Sequence, residues 1–331
     1  METTTEGITL LPVETAYAAA HETAVLVDRS DLGLLKFSGK TRLDLINRMS
    51  TQKVINLGEG EGAATVLTTD IGRIIDRIIL YEDGKDVYCL TSENNGDAVA
   101  AYLRKFVFFM DDFHIDDLRP DSATLAIYGR QARSLLTNFI GEQIDIPLHH
   151  WRLFDLEGKY VTLHRTDPIA GDGYFLMVRQ ADKQFFLERL IKSGITPADE
   201  SAFEYLRIES GRPRFGHELT DAYIPLEANL WADVSFNKGC YTGQEIIARM
   251  ESRGRIAKRL ALLQGDRPVE IGQALVVAGK NGGTITSTAA GPRGYLALGF
   301  IKSSILTDAS SFDQQPILIA GEVTLEISAV F

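Results

Sequence analysis

The chain has little cysteine. Only Cys89 and Cys240 occur in 331 residues, far apart and without a C-x-x-C spacing, which excludes a disulfide framework and a zinc knuckle. An iron–sulfur cluster usually takes four thiolates, so one chain is not expected to hold a cluster. The six histidines (21, 114, 149, 150, 164 and 217) show no H-E-x-x-H or comparable spacing, and no metal site is expected. Positive charge is in deficit too: 34 Lys and Arg against 45 Asp and Glu leave a net charge of -11. Nucleic acid and anionic membranes are held by clustered Lys and Arg, so neither is an expected partner. One local cluster stands apart, Arg249, Arg253, Arg255, Lys258 and Arg259. It suits a solvated helix end answering its own dipole, or an anion. No apolar run approaches the roughly 18 residues of a membrane span. The opening Met-Glu-Thr-Thr-Thr-Glu-Gly lacks the cationic and apolar regions of a secretory signal, and a cytoplasmic location is expected.

What is present is ordinary globular material, 45% hydrophobic and 24% charged, long enough for two or three cores. Helical composition at 14–22 leads into a strand at 24–28, a strand and turn at 34–39, and a helix over 40–49 with Leu43, Ile46 and Met49 on one face. Three β-rich runs, 63–68, 72–81 and 86–91, are separated by turn chemistry and predict an antiparallel meander. A helix is expected over 94–106, with the Phe106 to Met110 cluster read as core, and a strand at 113–115. A second α+β mix follows: strand 124–128, helix 130–139, strands near 151–164 and 174–179, and helices over 183–193 and through 203–209. Beyond residue 256 come short β runs with glycine turns and no convincing helix, which predicts a small barrel or sandwich. The expected division is 8–252 and 256–331, with the linker near 252–256.

Small, polar and reactive groups are densest at 237–249, Asn-Lys-Gly-Cys-Tyr-Thr-Gly-Gln-Glu-Ile-Ile-Ala-Arg. Thr242 and Glu245 are spaced as a capping box, which predicts a helix starting near Gly243. Cys240 then precedes a helix N-terminus and follows Lys238, two features that favour a thiolate. A strand-to-helix turn around a small buried cysteine fits the same residues.

The run K-G-C-Y-x-G-Q-E with Arg249 resembles the signature of the YgfZ family of folate-binding, iron–sulfur-related proteins. That family is similar over its length to the glycine-cleavage T-protein, an aminomethyltransferase. Gly72 to Arg77 resembles the T-protein strand ending in Asp-Asp, Arg165 to Tyr174 its glycine-glutamate-aspartate-glycine turn, Leu206 to Gly211 with Gly216 its leucine-arginine-leucine-glutamate element, and Ile224 to Glu227 the proline-x-glutamate that follows. The resemblance implies a cloverleaf, α+β in class: two interleaved folate-binding α+β subdomains plus a C-terminal β-barrel, with tetrahydrofolate or a one-carbon derivative in the central hole. It also implies site residues. Cys240 and Lys238 would be the reactive pair. Asp76, Arg77, Tyr88, Leu90, Ser92, Asp172, Trp231, Tyr241, Gln244 and Arg249 would line or flank the folate. Arg77 falls where T-proteins carry the acid near folate N5, and Gly171 falls where they carry the pterin-gripping glutamate, leaving Asp172 as a shifted substitute. Arg207, Glu209 and Glu227 are read as ion pairs holding subdomains together. The expected function is a tetrahydrofolate-binding accessory protein for iron–sulfur enzymes or their assembly proteins. The alternatives are an aminomethyltransferase and a folate-binding or redox-sensing module without turnover.

Overall fold

The computed structural model describes residues 3–5, 8–252, 254, 256–306 and 316–331. Two sheets carry the first 200 residues or so. The first runs, in spatial order, Trp151–Leu156, Lys159–Thr166, Asp172–Arg179, Ser122–Gly129, Val25–Asp28 and Thr196–Pro197, antiparallel except for the last pair. The second is wholly antiparallel: Gly62–Thr68, Ile74–Glu82, Val87–Glu93, Leu32–Ser38 and His114–Asp117. The whole second sheet is inserted between Val25–Asp28 and Ser122–Gly129, two strands that pair directly. That insertion is the interleaving.

Alternation along the strands decides what each face buries. On Val87–Glu93, Val87 and Cys89 point to the core shared with the helices Arg42–Met49 and Gly96–Arg104, through Leu45, Ile46, Val99 and Leu103. Leu90, one residue on, points the other way and meets Val27, Tyr128 and Phe175 of the first sheet. The outer face of the first sheet is covered by Ala132–Ile140 and Lys183–Lys192, through Leu136, Phe186 and Leu190. The layers therefore run helices, sheet, sheet, helices. The two inner faces meet along one seam.

The remaining strands close a barrel in the order Lys258–Gly265, Gly294–Lys302, Lys280–Gly291, Ala274–Val277, Leu318–Ala320 and Val323–Val330. Five of these match the expected β runs; Leu318–Ala320 is three residues long, too short to show a pattern. A buried polar joint ties barrel to sheets. Arg207, 2% exposed, reaches Glu218 Oε2 at 3.1 Å and Ser287 Oγ at 2.6 Å, while Glu218 Oε1 accepts from Thr286 and Ser287, each at 2.6 Å. Arg207 is thus the tie expected of it. Glu209 pairs with His21 and Arg293, and Glu227 instead accepts the Ile224 N–H at 3.2 Å.

The expected Phe106–Met110 core is half wrong. Phe106 packs on Tyr102 with centroids 5.1 Å apart, but Phe108, Phe109 and Met110 are 60%, 98% and 78% exposed. The turn is set by Asp111, which accepts the Phe108 N–H at 2.9 Å and pairs with Arg48 at 2.7 Å, and this swings the three side chains outward. Arg253 and Arg255 of the basic cluster lie outside the described residues.

Candidate functional site

At one end of the seam lies a cavity of about 190 Å³. Ile79, Leu90, Tyr128, Phe175 and Phe203 form its apolar wall, and Arg29, Arg77, Arg212, Arg214, Asp167 and Asp233 its polar one. Ligand sites for drug-sized molecules usually measure roughly 300–1,000 Å³, so the enclosed part suits a ring system whose substituents emerge at the mouth.

Arg77 organises the polar wall. Its Nε donates to Asp233 Oδ2 at 2.6 Å and its Nη1 lies 2.8 Å from Asp167 Oδ2. Burial works against its charge, but the two carboxylates outweigh it and raise its pKa further. Burial likewise pushes the Asp167 carboxyl up, yet Arg77 and Arg212 together hold it below the usual range. His149, held at φ 61°, is buried close enough to feel the same cluster. Burial first, then Arg77, pushes its pKa down to about 4, so it is neutral at pH 7. Arg29, 4% exposed, lies over the Phe203 ring at 4.3 Å and pairs with Glu93, which also holds Arg214 at 3.0 Å.

Of the residues singled out in the sequence, Arg77, Leu90 and Ser92 line this cavity. Asp76 does not. It lies fully buried behind the strand, its Oδ1 taking the Ser92 hydroxyl at 2.5 Å and its Oδ2 the Ser92 N–H at 3.2 Å. Burial outweighs these bonds and raises its pKa to about 6. Tyr88 shares a face with Leu90, but it lines a second cavity farther along the seam. Asp172 is held by Arg165 at 2.8 Å and Arg133 at 3.3 Å, away from the cavity wall. Trp231 faces a groove beside the barrel with Ile256 and Lys258 and packs near Phe236.

The cysteine loop also lies outside the cavity wall. Lys238 is turned inward and donates to the carbonyls of Asn47, Ser50 and Gln52 at 2.7, 2.8 and 2.7 Å. Burial lowers its pKa to about 8. Its ammonium closes the end of the helix Arg42–Met49 and is committed there, so the expected pairing with the thiol is replaced by a structural role. Tyr241 is buried against Val234 and Ile247. Gln244 opens the helix Gln244–Ser252, and exposed Arg249 pairs with Glu245 at 2.7 Å. The expected capping box is not formed. Thr242 Oγ1 lies against Met49 Sδ, and Glu245 turns to Arg249. Gly243 takes φ +83°, and a Cβ there would come within 2.6 Å of the Thr69 carbonyl, so only glycine fits this crossing over the Thr68–Gly72 turn. Cys240 is left exposed on the outer side of the loop. The expectation that it looks into the cavity is therefore corrected: the inward position of the loop is filled by Lys238 and Tyr241.

Sequence reasoning missed Asp167, Asp233, Arg212, Arg214 and Arg29. Asp167 and Asp233 stand inside two of the resembling segments or just beyond them, but nothing local marks them as partners of Arg77.

An interleaved pair of α+β units that hold a small arginine-and-aspartate cavity between their sheets, followed by a β-barrel, defines the class. A match to the GCVT N-terminal domain spans residues 11–238, and the chain belongs to this family. It is 30% identical over 281 residues to a putative chloroplastic transferase of Arabidopsis thaliana, covering 84% of this chain and 65% of that protein. It is 32% identical over 257 residues to the tRNA-modifying protein YgfZ of Hamiltonella defensa, covering 75% of this chain and 73% of that one. An aminomethyltransferase of Rubrobacter xylanophilus is 28% identical over 87% of this chain and 80% of its own. The fold matches the glycine cleavage system aminomethyltransferase T of Bartonella henselae with a TM-score of 0.83 at 19% identity, over 99% of this chain and 93% of that one. Among the described residues no helix is long and apolar enough to cross a membrane.

Proposed function

We propose that the protein binds a reduced folate, tetrahydrofolate or a one-carbon derivative, in the Arg77 cavity and acts as an accessory protein for iron–sulfur enzymes through the Cys240 thiol. The residues fit such a ligand. Phe175 and Tyr128 offer flat apolar surface to a ring beside Leu90, Asp167 an acceptor for ring N–H groups, and Arg212, whose side chain is 35% exposed, suits a carboxylate of a glutamate tail. The ligand would supply a carrier for one-carbon units; the chain supplies the enclosure and the charge pattern.

The observation that carries this reading is Arg77. Aminomethyl transfer calls for a carboxylate free to manage the folate proton, whereas here a guanidinium faces the cavity and clasps both nearby carboxylates. Cys240, exposed and outside the cavity wall, is open to a partner protein rather than to the bound ring. Two free cysteines, one of them exposed, suit a reducing compartment, and a cytoplasmic location belongs to the proposal. Replacing Cys240 by Ala should leave folate binding intact and lower the activity of iron–sulfur enzymes in cells; unchanged activity would sink the thiol's role.

A second reading, aminomethyl transfer, is favoured by the names of several relatives. Purified protein given tetrahydrofolate and a carrier loaded with an S-aminomethyldihydrolipoyl group, whose methylene passes to the folate as ammonia leaves, distinguishes the two. Methylenetetrahydrofolate should not form; its formation would favour the second reading.

A further inference from the structure

The groove that Trp231 faces, beside the start of the barrel, is lined by Lys258, Arg259 and Lys302 together with the hydroxyls of Ser303 and Ser304. No acidic side chain lines it among the described residues, although the chain as a whole has a net charge of -11. None of the three cations has a carboxylate partner among the described residues. Lys258 Nζ lies 4.8 Å from the centre of the Tyr223 ring, Lys302 Nζ donates to the Asn281 carbonyl at 2.8 Å, and Arg259 Nε donates to the Phe331 carbonyl at 3.2 Å. An ammonium has three N–H donors, so both lysines keep donors to spare.

The two lysines are set against each other. They are direct partners across the strands Lys258–Gly265 and Gly294–Lys302, so both side chains leave the face of the barrel wall that carries Leu260 and Phe300. Like charges opposite each other on a strand pair are destabilising. Glu227, the acid that Lys258 feels, does not reach the groove: it is 4% exposed, and its carboxylate accepts the backbone N–H groups of Ile224 and Lys258. A single carboxylate answers one cation, whereas cations spread over two strands call for several carboxylates on one chain. Trp231, 39% exposed, offers apolar surface to the methylene stems of such a chain. The groove is approached from two directions. Leu230 and Ala232, on either side of Trp231, line the Arg77 cavity, and the helix Gln244–Ser252 leads from the Cys240 loop to the groove at Gly254. A γ-linked glutamate tail would arrive from the first side and an acidic segment of a protein docked at Cys240 from the second.

We propose that this groove binds an extended chain of carboxylates, bridged by Lys258 and Lys302 and packed along Trp231. The site stands whatever the Arg77 cavity holds. Two fluorescein-labelled hexaglutamates, one α-linked like a protein segment and one γ-linked like a folate tail, are suitable probes, titrated with the full chain and followed by fluorescence anisotropy at low and high ionic strength. At least one should bind saturably and more weakly as salt rises, and the linkage bound more tightly identifies the source. Lys258→Glu combined with Lys302→Glu should weaken binding about tenfold or more. Arg104→Glu combined with Lys105→Glu makes the same change in net charge at the exposed end of the helix Gly96–Arg104 and should alter binding less than about twofold. Lys302→Gln should weaken binding without lowering the melting temperature, because it relieves the opposed lysines. No saturable binding of either probe, undiminished binding by the folded Lys258→Glu, Lys302→Glu protein, or an equal loss from both double reversals would overturn the proposal. A Lys302→Gln protein that melts lower and binds as before would also overturn it, since the lysine would then serve the fold alone.

Discussion

Replacing Arg77 by Met should be the most costly single change in the cavity. The guanidinium is the ion-pair partner of two carboxylates whose side chains are 19% and 6% exposed, Asp167 and Asp233. Without it, Asp167 keeps Arg212 at 3.3 Å, and Asp233 keeps no ion pair among the described residues. Stranding a buried charge costs about 3–5 kcal/mol, and that is the loss expected at pH 7 in urea unfolding followed by circular dichroism. The pH dependence gives a sharper check. In the wild type the Asp167 carboxyl is held below its unfolded value, so its contribution is complete above about pH 4 and is lost only as acid reaches the folded value. In the variant burial acts with less opposition, the native carboxyls bind protons more readily than unfolded ones, and stability should recover as the pH falls from 7 towards 5. Adding Asp233→Asn should restore part of the loss at pH 7. A loss under about 1 kcal/mol, or a variant that weakens on acidification in parallel with the wild type, would refute the reasoning.

Asp76 provides an independent titration. Its native pKa of about 6 lies above the unfolded value, so the wild type should lose about 2 kcal/mol relative to Asp76→Asn as the pH rises from 4 to 7; a constant difference between the two proteins would count against a buried carboxyl there. Lys238→Met should destabilise by about 2–3 kcal/mol through three orphaned carbonyls while leaving the alkylation rate of Cys240 with iodoacetamide nearly unchanged, and a large change in that rate would mean the lysine serves the thiol after all. Glu218→Ala should uncouple the barrel from the sheets, seen as an earlier, separate unfolding transition by calorimetry, because it removes the carboxylate that Arg207, Thr286 and Ser287 share across the joint and leaves Arg207 with Glu204 of its own helix as ion-pair partner; a single transition at the wild-type temperature would exclude that role.

The meander over 62–93 was legible because period-two alternation and turn residues are local signals. The interleaving was not. Val25–Asp28 pairs with Ser122–Gly129 across an inserted sheet, and no periodicity records a partner that distant; only the family resemblance suggested it. The same limit applies to the cavity. Arg77 was visible as a departure from a motif, but its bond to Asp233 spans 156 positions. The capping box at Thr242 failed for a related reason: the spacing was correct, but the loop packs on Met49 and the Thr68–Gly72 turn, and tertiary contacts took the groups the box needed. Phe108 to Met110 were misassigned because hydrophobic composition alone says nothing about how one aspartate sets a turn.

The central claim, that a reduced folate occupies the Arg77 cavity while Cys240 works outside it, is tested most directly by calorimetric titration of tetrahydrofolate into three proteins. Wild type and Cys240→Ala should bind with the same affinity and one site each, and Leu90→Trp, which fills the cavity, should not bind. Absence of saturable binding by the wild type, or loss of binding in Cys240→Ala, would contradict it.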